Sequence, residues 1–73
     1  MNLLNPKKLL LSKWTAVRPL HKDKHFLVAK VVDPPVEGSK IEWIEIEAVF
    51  SGDTQRISWR DLQNEDIWKQ GWV

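Results

Sequence analysis

Ile41-Glu42-Trp43-Ile44-Glu45-Ile46-Glu47-Ala48-Val49-Phe50, then Ser51-Gly52-Asp53, then Thr54-Gln55-Arg56-Ile57-Ser58-Trp59, reads as a β-hairpin. From Ile44 onward apolar residues fall at every second position (Ile44, Ile46, Ala48, Phe50), with Glu45 and Glu47 between them. A period of two places the sets on opposite faces of a strand. Gly52-Asp53 suits a two-residue type II′ loop, whose first position needs a positive φ. That loop predicts Phe50 opposite Gln55, Ala48 opposite Ile57 and Ile46 opposite Trp59. The other face then pairs Val49 with Arg56, Glu47 with Ser58 and Glu45 with Arg60. One register thus yields an apolar face and a charge-matched one.

Outward from the hairpin, the chain supplies more strands. Lys13-Trp14-Thr15-Ala16-Val17-Arg18 is a first strand, ended by Pro19. His25 to Val32 is a second, apolar on its odd face (Leu27, Ala29, Val31) and on its even face except for Lys30. A strand apolar on both faces is expected at the centre of a sheet, covered on both sides. Asp33-Pro34-Pro35-Val36-Glu37-Gly38-Ser39 is a loop whose prolines guard an edge. The apolar phase slips between Trp43 and Ile44, which predicts a bulge or bend near Trp43, or else Trp43 on the outer face beside Glu45.

The ends read as short helices. Asn5-Pro6 is an N-cap followed by a first-turn proline, with a turn or two running to Leu11. Asn64 to Gly71 reads as a capped helix with Gly71 in the left-handed position and an Ile67–Trp72 contact. Residues 1–4 are expected to be frayed. The fold expectation is one mainly β domain over residues 1–73. It is a four-stranded, strongly bent antiparallel meander with short N- and C-terminal helices, and an SH3-type small barrel is one way to close it.

Composition narrows the function classes. The chain has 73 residues, five Trp, two Phe and no Cys. Absence of Cys excludes a disulfide framework, a thiolate metal site and thiol catalysis, and fits a reducing, cytoplasmic setting. Leu9-Leu10-Leu11 is far short of the roughly 20 apolar residues of a membrane helix, and no signal-peptide pattern opens the chain. His21 and His25 flank Asp23 at a spacing that suits two metal ligands on a helix. Phe26-Leu27-Val28 makes His25 open a strand instead, and no third ligand stands out, so no metal or cofactor is expected. Ser12, Thr15, Ser39, Ser51, Thr54 and Ser58 lie in no nucleophile motif, and Gly38, Gly52 and Gly71 are scattered at turns. A non-enzymatic protein is expected.

The net charge of +1 conceals an uneven distribution. Residues 1–30 carry seven Lys/Arg against Asp23 alone, and residues 31–73 carry four against nine Asp/Glu. Either the halves neutralise one another within a sheet, or the basic half meets nucleic acid. Lys7, Lys8, Lys13, Arg18 and Lys22 with Trp14 form the candidate nucleic-acid site, because aromatic faces among cations suit stacking on single-stranded RNA. Trp14 equally suits the core. Trp59 reads as core beside Ile57 and Ile46, and Trp68 as the anchor of the C-terminal helix. Trp43 and Trp72, with a free sheet edge, form the candidate interface of the alternative reading, a protein-interaction or assembly module.

Asn5-Pro6-Lys7-Lys8-Leu9-Leu10, Ser12-Lys13-Trp14-Thr15-Ala16-Val17, Lys24-His25-Phe26, Trp59-Arg60-Asp61-Leu62 and Trp68-Lys69-Gln70-Gly71-Trp72 together resemble the small tryptophan-rich bacterial proteins. This is a family of unknown function in cyanobacteria and gammaproteobacteria. The resemblance spans nearly the whole chain, except for the segment between Asp33 and Ile41. It implies a complete, stand-alone bacterial protein, cytoplasmic, with no catalytic residues and no named partner.

Overall fold

The computed structural model describes residues 4–19 and 23–73. Five strands form one antiparallel sheet: β1 Lys13–Ala16, β2 His25–Val31, β3 Trp43–Ala48, β4 Thr54–Ser58 and β5 Trp68–Gln70. Their spatial order is β4-β3-β2-β1-β5, a meander whose last strand returns to pair with the first. The mainly β expectation holds, with one strand more than the four expected.

The added strand replaces the expected C-terminal helix. Asn64 does cap a turn, since its Oδ1 accepts from the Asp66 amide at 3.0 Å and its carbonyl from the Ile67 and Trp68 amides. The turn does not propagate, because one turn of helix is an unfavourable nucleus without further packing. Trp68 instead opens β5 opposite Ala16 and meets the Phe26 ring edge-on, centroids 5.1 Å apart. Gly71 has the expected positive φ of 85°, but it turns the chain after a strand. At the other end the helix from Asn5 is a single 3-10 turn, Pro6–Lys8, with the Asn5 side chain accepting from the Lys7 amide at 3.0 Å. Leu4, expected to be frayed, packs partly buried against the core, whereas residues 1–3 lie outside the described residues.

The hairpin keeps its faces and changes its register. Ile44 pairs with Ile57, Glu45 with Arg56 and Ile46 with Gln55, each partner four residues earlier than the two-residue loop required. The displacement is even, so Ile44, Ile46 and Ala48 still face the core. The loop is longer because Gly52, at φ 79°, ends it: its amide donates to the Ala48 carbonyl and the Ala48 amide to the Asp53 carbonyl, both at 2.8 Å. Phe50 therefore leaves the strand for the hairpin tip, where 79% of its surface is exposed.

The bulge lies on the neighbouring strand β2 and not near Trp43. Val28 pairs with Ile46 and Lys30 with Glu45, so Ala29 is an extra residue in β2. Before this bulge Phe26 and Val28 face the core, and after it Val31 does. The doubly apolar pattern of β2 is a one-sided strand whose phase changes at Ala29. Leu27 and Ala29 are consequently not the hairpin's core partners. Trp43 takes the outer face with Glu45, the second of the two placements expected for it.

The core face gathers Trp14, Phe26, Val28, Ile44, Ile46, Ala48 and Trp68, closed by Leu9 after the N-terminal turn and Leu62 from a second 3-10 turn, Trp59–Gln63. Trp59 is partly buried against this cluster. Trp14 is completely buried, and its indole N–H donates to Ser12 Oγ at 2.8 Å.

Trp14→Ala should cost about 3–5 kcal/mol in urea unfolding, whereas Trp43→Ala should stay within ~0.5 kcal/mol of wild type. Gly52→Ala meets no atom within 4 Å, so its penalty is that of the backbone conformation alone. That penalty should be about 1 kcal/mol, read as a lower urea midpoint at unchanged slope.

Candidate functional site

The outer face of the sheet is where the two charge populations meet. Glu45 lies between Lys30 on β2 and Arg56 on β4, and it pairs with Arg56 at 3.2 Å. Lys13 and Glu47 flank Leu27 in the same way. Part of the basic first half thus faces the acidic hairpin across one sheet, as the charge-balance reading expects.

Near β1 the outer face is covered by the last residues. The buried Thr15 hydroxyl donates to the Gly71 carbonyl at 2.7 Å and accepts from the Val73 amide at 3.2 Å. Trp72 lies across this region with its indole N–H on the Phe26 carbonyl at 3.0 Å, and the Lys13 ammonium sits 4.8 Å from its ring centroid. His25 completes the cover, its Nε2 2.9 Å from the Val73 backbone oxygen and its ring 6.0 Å from that of Trp72. Trp72 is 43% exposed, yet both its ring face and its N–H are engaged.

The candidate nucleic-acid residues do not converge. Trp14 has no exposed surface, so its ring offers no stacking platform, and that part of the expectation is corrected. The physical reason is local: Trp14 points to the core side of a strand that has neighbours on both edges. Lys13 caps Trp72, Arg18 is exposed beyond the end of β1, and Lys7 and Lys8 project from the N-terminal turn. Lys22 and His21 lie outside the described residues.

Lys7 instead joins residues that sequence reasoning did not group with it. A cleft of about 280 Å³ is lined by Lys7, Lys40, Arg60 and Trp59 among others. Ser39 and Lys40 also line a neighbouring groove of about 390 Å³, walled by Val32, Pro34, Pro35 and Trp43. The Pro34-Pro35 pair beside Trp43 was the available signal. The turn at Gly38, φ 83°, that accompanies Lys40 into the cleft gave none. Within the rim, Arg60 pairs with Glu42 and lies over the Trp59 ring at 5.3 Å.

Trp43 is unlike the other four tryptophans. Trp14, Trp59 and Trp72 each donate their indole N–H, to Ser12, to the Ile41 carbonyl and to the Phe26 carbonyl respectively. Trp68 is in the core. Trp43 is 46% exposed, and its indole N–H has no partner among the described residues.

The model of a tryptophan-rich protein family, DUF2389, matches residues 12–73. The chain belongs to this family. All five tryptophans of this family member lie inside the matched span, while Lys7 and Lys8 precede it. No curated protein and no solved structure matches the chain. The family is one of unknown function, so its members' description brings no activity to the site. Among the described residues of this tryptophan-rich protein, no helix is long and apolar enough to cross a membrane.

Glu42 reports on the rim of the groove. Its hydrogen bond and ion pair with Arg60, with a hydrogen bond from the Ser58 hydroxyl, hold its carboxyl below the ordinary 4.5, against the opposing effect of burial. A carboxyl whose folded pKa is depressed stabilises the fold above its unfolded value and loses that contribution as pH falls through the folded one. In a carbon-13 NMR titration, Arg60→Ala should therefore raise the Glu42 midpoint. The stability difference between the variant and wild type should shrink in acid.

Proposed function

We propose that this protein is a non-enzymatic protein-interaction module whose recognition element is Trp43 and the groove beside it. The observation that carries this reading is the half-exposed Trp43 indole, whose N–H has no partner among the described residues. A ring that contributes little to the core and presents both an apolar face and a donor is the type of anchor found at the centre of protein interfaces. Trp72, the other candidate, fits a structural role better, since its N–H and ring serve the cover over Thr15.

The strand order supports the same reading by analogy. Five strands in a meander that returns β5 to β1, with a 3-10 turn between β4 and β5, suit an SH3-type small barrel. Such domains dock extended peptides in aromatic-lined grooves. The cysteine-free composition supports the cytoplasm as the setting. Burial of Trp14 weakens the nucleic-acid reading, because the ring expected to stack among the candidate lysines has no exposed surface.

Affinity capture from a bacterial lysate, with and without nuclease, tests the proposal. Proteins should be captured by wild type and by the Lys8→Ala/Lys13→Ala variant, survive nuclease, and be lost with Trp43→Ala. Capture that vanishes with nuclease or ignores Trp43→Ala would sink it.

A further inference from the structure

We infer that the occupant of the Trp43 groove is an extended, proline-rich peptide segment that carries an acidic side chain at the end lying towards Lys40 and Lys7. The inference rests on the interaction reading above and names the partner's chemistry.

Three observations specify that chemistry. The first is the donor. Trp43, whose indole N–H is unpartnered among the described residues, lines the groove together with Val32, Pro34 and Pro35. Its natural complement is a carbonyl with apolar neighbours. A polyproline II segment presents such carbonyls, because its backbone makes no internal hydrogen bonds, and it reaches the groove already extended.

The second is continuity. Ser39 and Lys40 line both the Trp43 groove and the cleft that holds Lys7, so one extended chain can occupy both. The third is charge. Arg56 and Arg60 are already engaged by Glu45 and Glu42, whereas Lys7 and Lys40 have no ion pair among the described residues. Two ammonium groups without an ion pair at one end of a groove whose Arg56 and Glu42 are already paired complement a carboxylate there. A polynucleotide fits less well. It carries a phosphate at every step, and the carboxylates of Asp33 and Glu42 border the other part of the same groove.

Isotope-labelled protein titrated with synthetic peptides tests this directly. The probe is a peptide with a Pro-x-x-Pro core followed by two glutamates. Its controls replace the prolines by glycine or the glutamates by lysine, and oligouridine is titrated separately. The proline–glutamate peptide should shift the Trp43 indole N–H signal. Trp43→Ala should weaken binding at least about tenfold, equivalent to ~1.4 kcal/mol. Trp43→Phe, which keeps a ring and removes the donor, should lose part of that. Lys40→Glu should weaken the glutamate peptide and strengthen the lysine peptide, a reversal that altered folding would not produce.

Equal binding of the glycine control overturns the proposal, as does a Trp43 shift produced by oligouridine alone. If no peptide binds while lysate capture remains dependent on Trp43, the peptide proposal falls and the interaction reading stands. If capture is also indifferent to Trp43, both fall.

Discussion

Trp14 sits in β1, the strand between β2 and the last strand β5, opposite Phe26 on one side and Gln70 on the other. Removing a whole indole from water hides on the order of 200 Å², worth about 5 kcal/mol at ~25 cal/mol per Å². That is comparable with the entire stability of a small domain, about 5–15 kcal/mol. Burial on this scale requires that the N–H be satisfied, and Ser12 does so two residues away. It also requires cover from several elements. Leu9, Leu62 and Trp68 supply part of it, which is why a chain of this length draws both of its ends onto one core.

The charges follow from the same arrangement. Once β2 lies beside β3, Lys30 faces Glu45, and once β4 completes the hairpin, Arg56 faces it from the other side. Exposed pairs of this sort contribute only about 0–1 kcal/mol each. Their weight is in selecting register, since a displaced hairpin would set like charges or apolar groups against them. Uneven charge along the sequence thus becomes near-balance across the sheet. Lys7 and Lys40, two of the cations without an ion pair among the described residues, lie at the groove.

Five tryptophans in so small a chain divide by what their indole N–H does. Those of Trp14, Trp59 and Trp72 each tie the ring to a hydroxyl or carbonyl of the protein, as a donor removed from water must. Trp43 follows a different logic. It begins β3 on the outer face, next to a loop whose prolines cannot pair with the sheet edge and so leave a groove open beside it. The buried Trp14 and the exposed Trp43 are the same residue type, separated by which side of a strand each occupies.

Much of the fold was legible in the residues themselves. Alternation placed Ile44, Ile46 and Ala48 on the core face, and Gly52 and Gly71 marked the positive-φ turns. Asn5 and Asn64 marked caps. These are signals of neighbouring residues, set by sterics and hydrogen bonds within a few positions. Sheet pairing is not local in that sense. The bulge at Ala29 shows only against β3, the longer loop only once Ile57 has met Ile44, and β5 only once Trp68 has met Phe26. Which tryptophans are hidden depends on those distant contacts too, so the candidate site moved from Trp14 to Trp43. The sequence by itself determined a β-protein with its core face and turns. Only the tertiary structure decided strand count, register and which exposed indole has no hydrogen-bond partner among the described residues, because burial and pairing are settled between residues far apart in the chain.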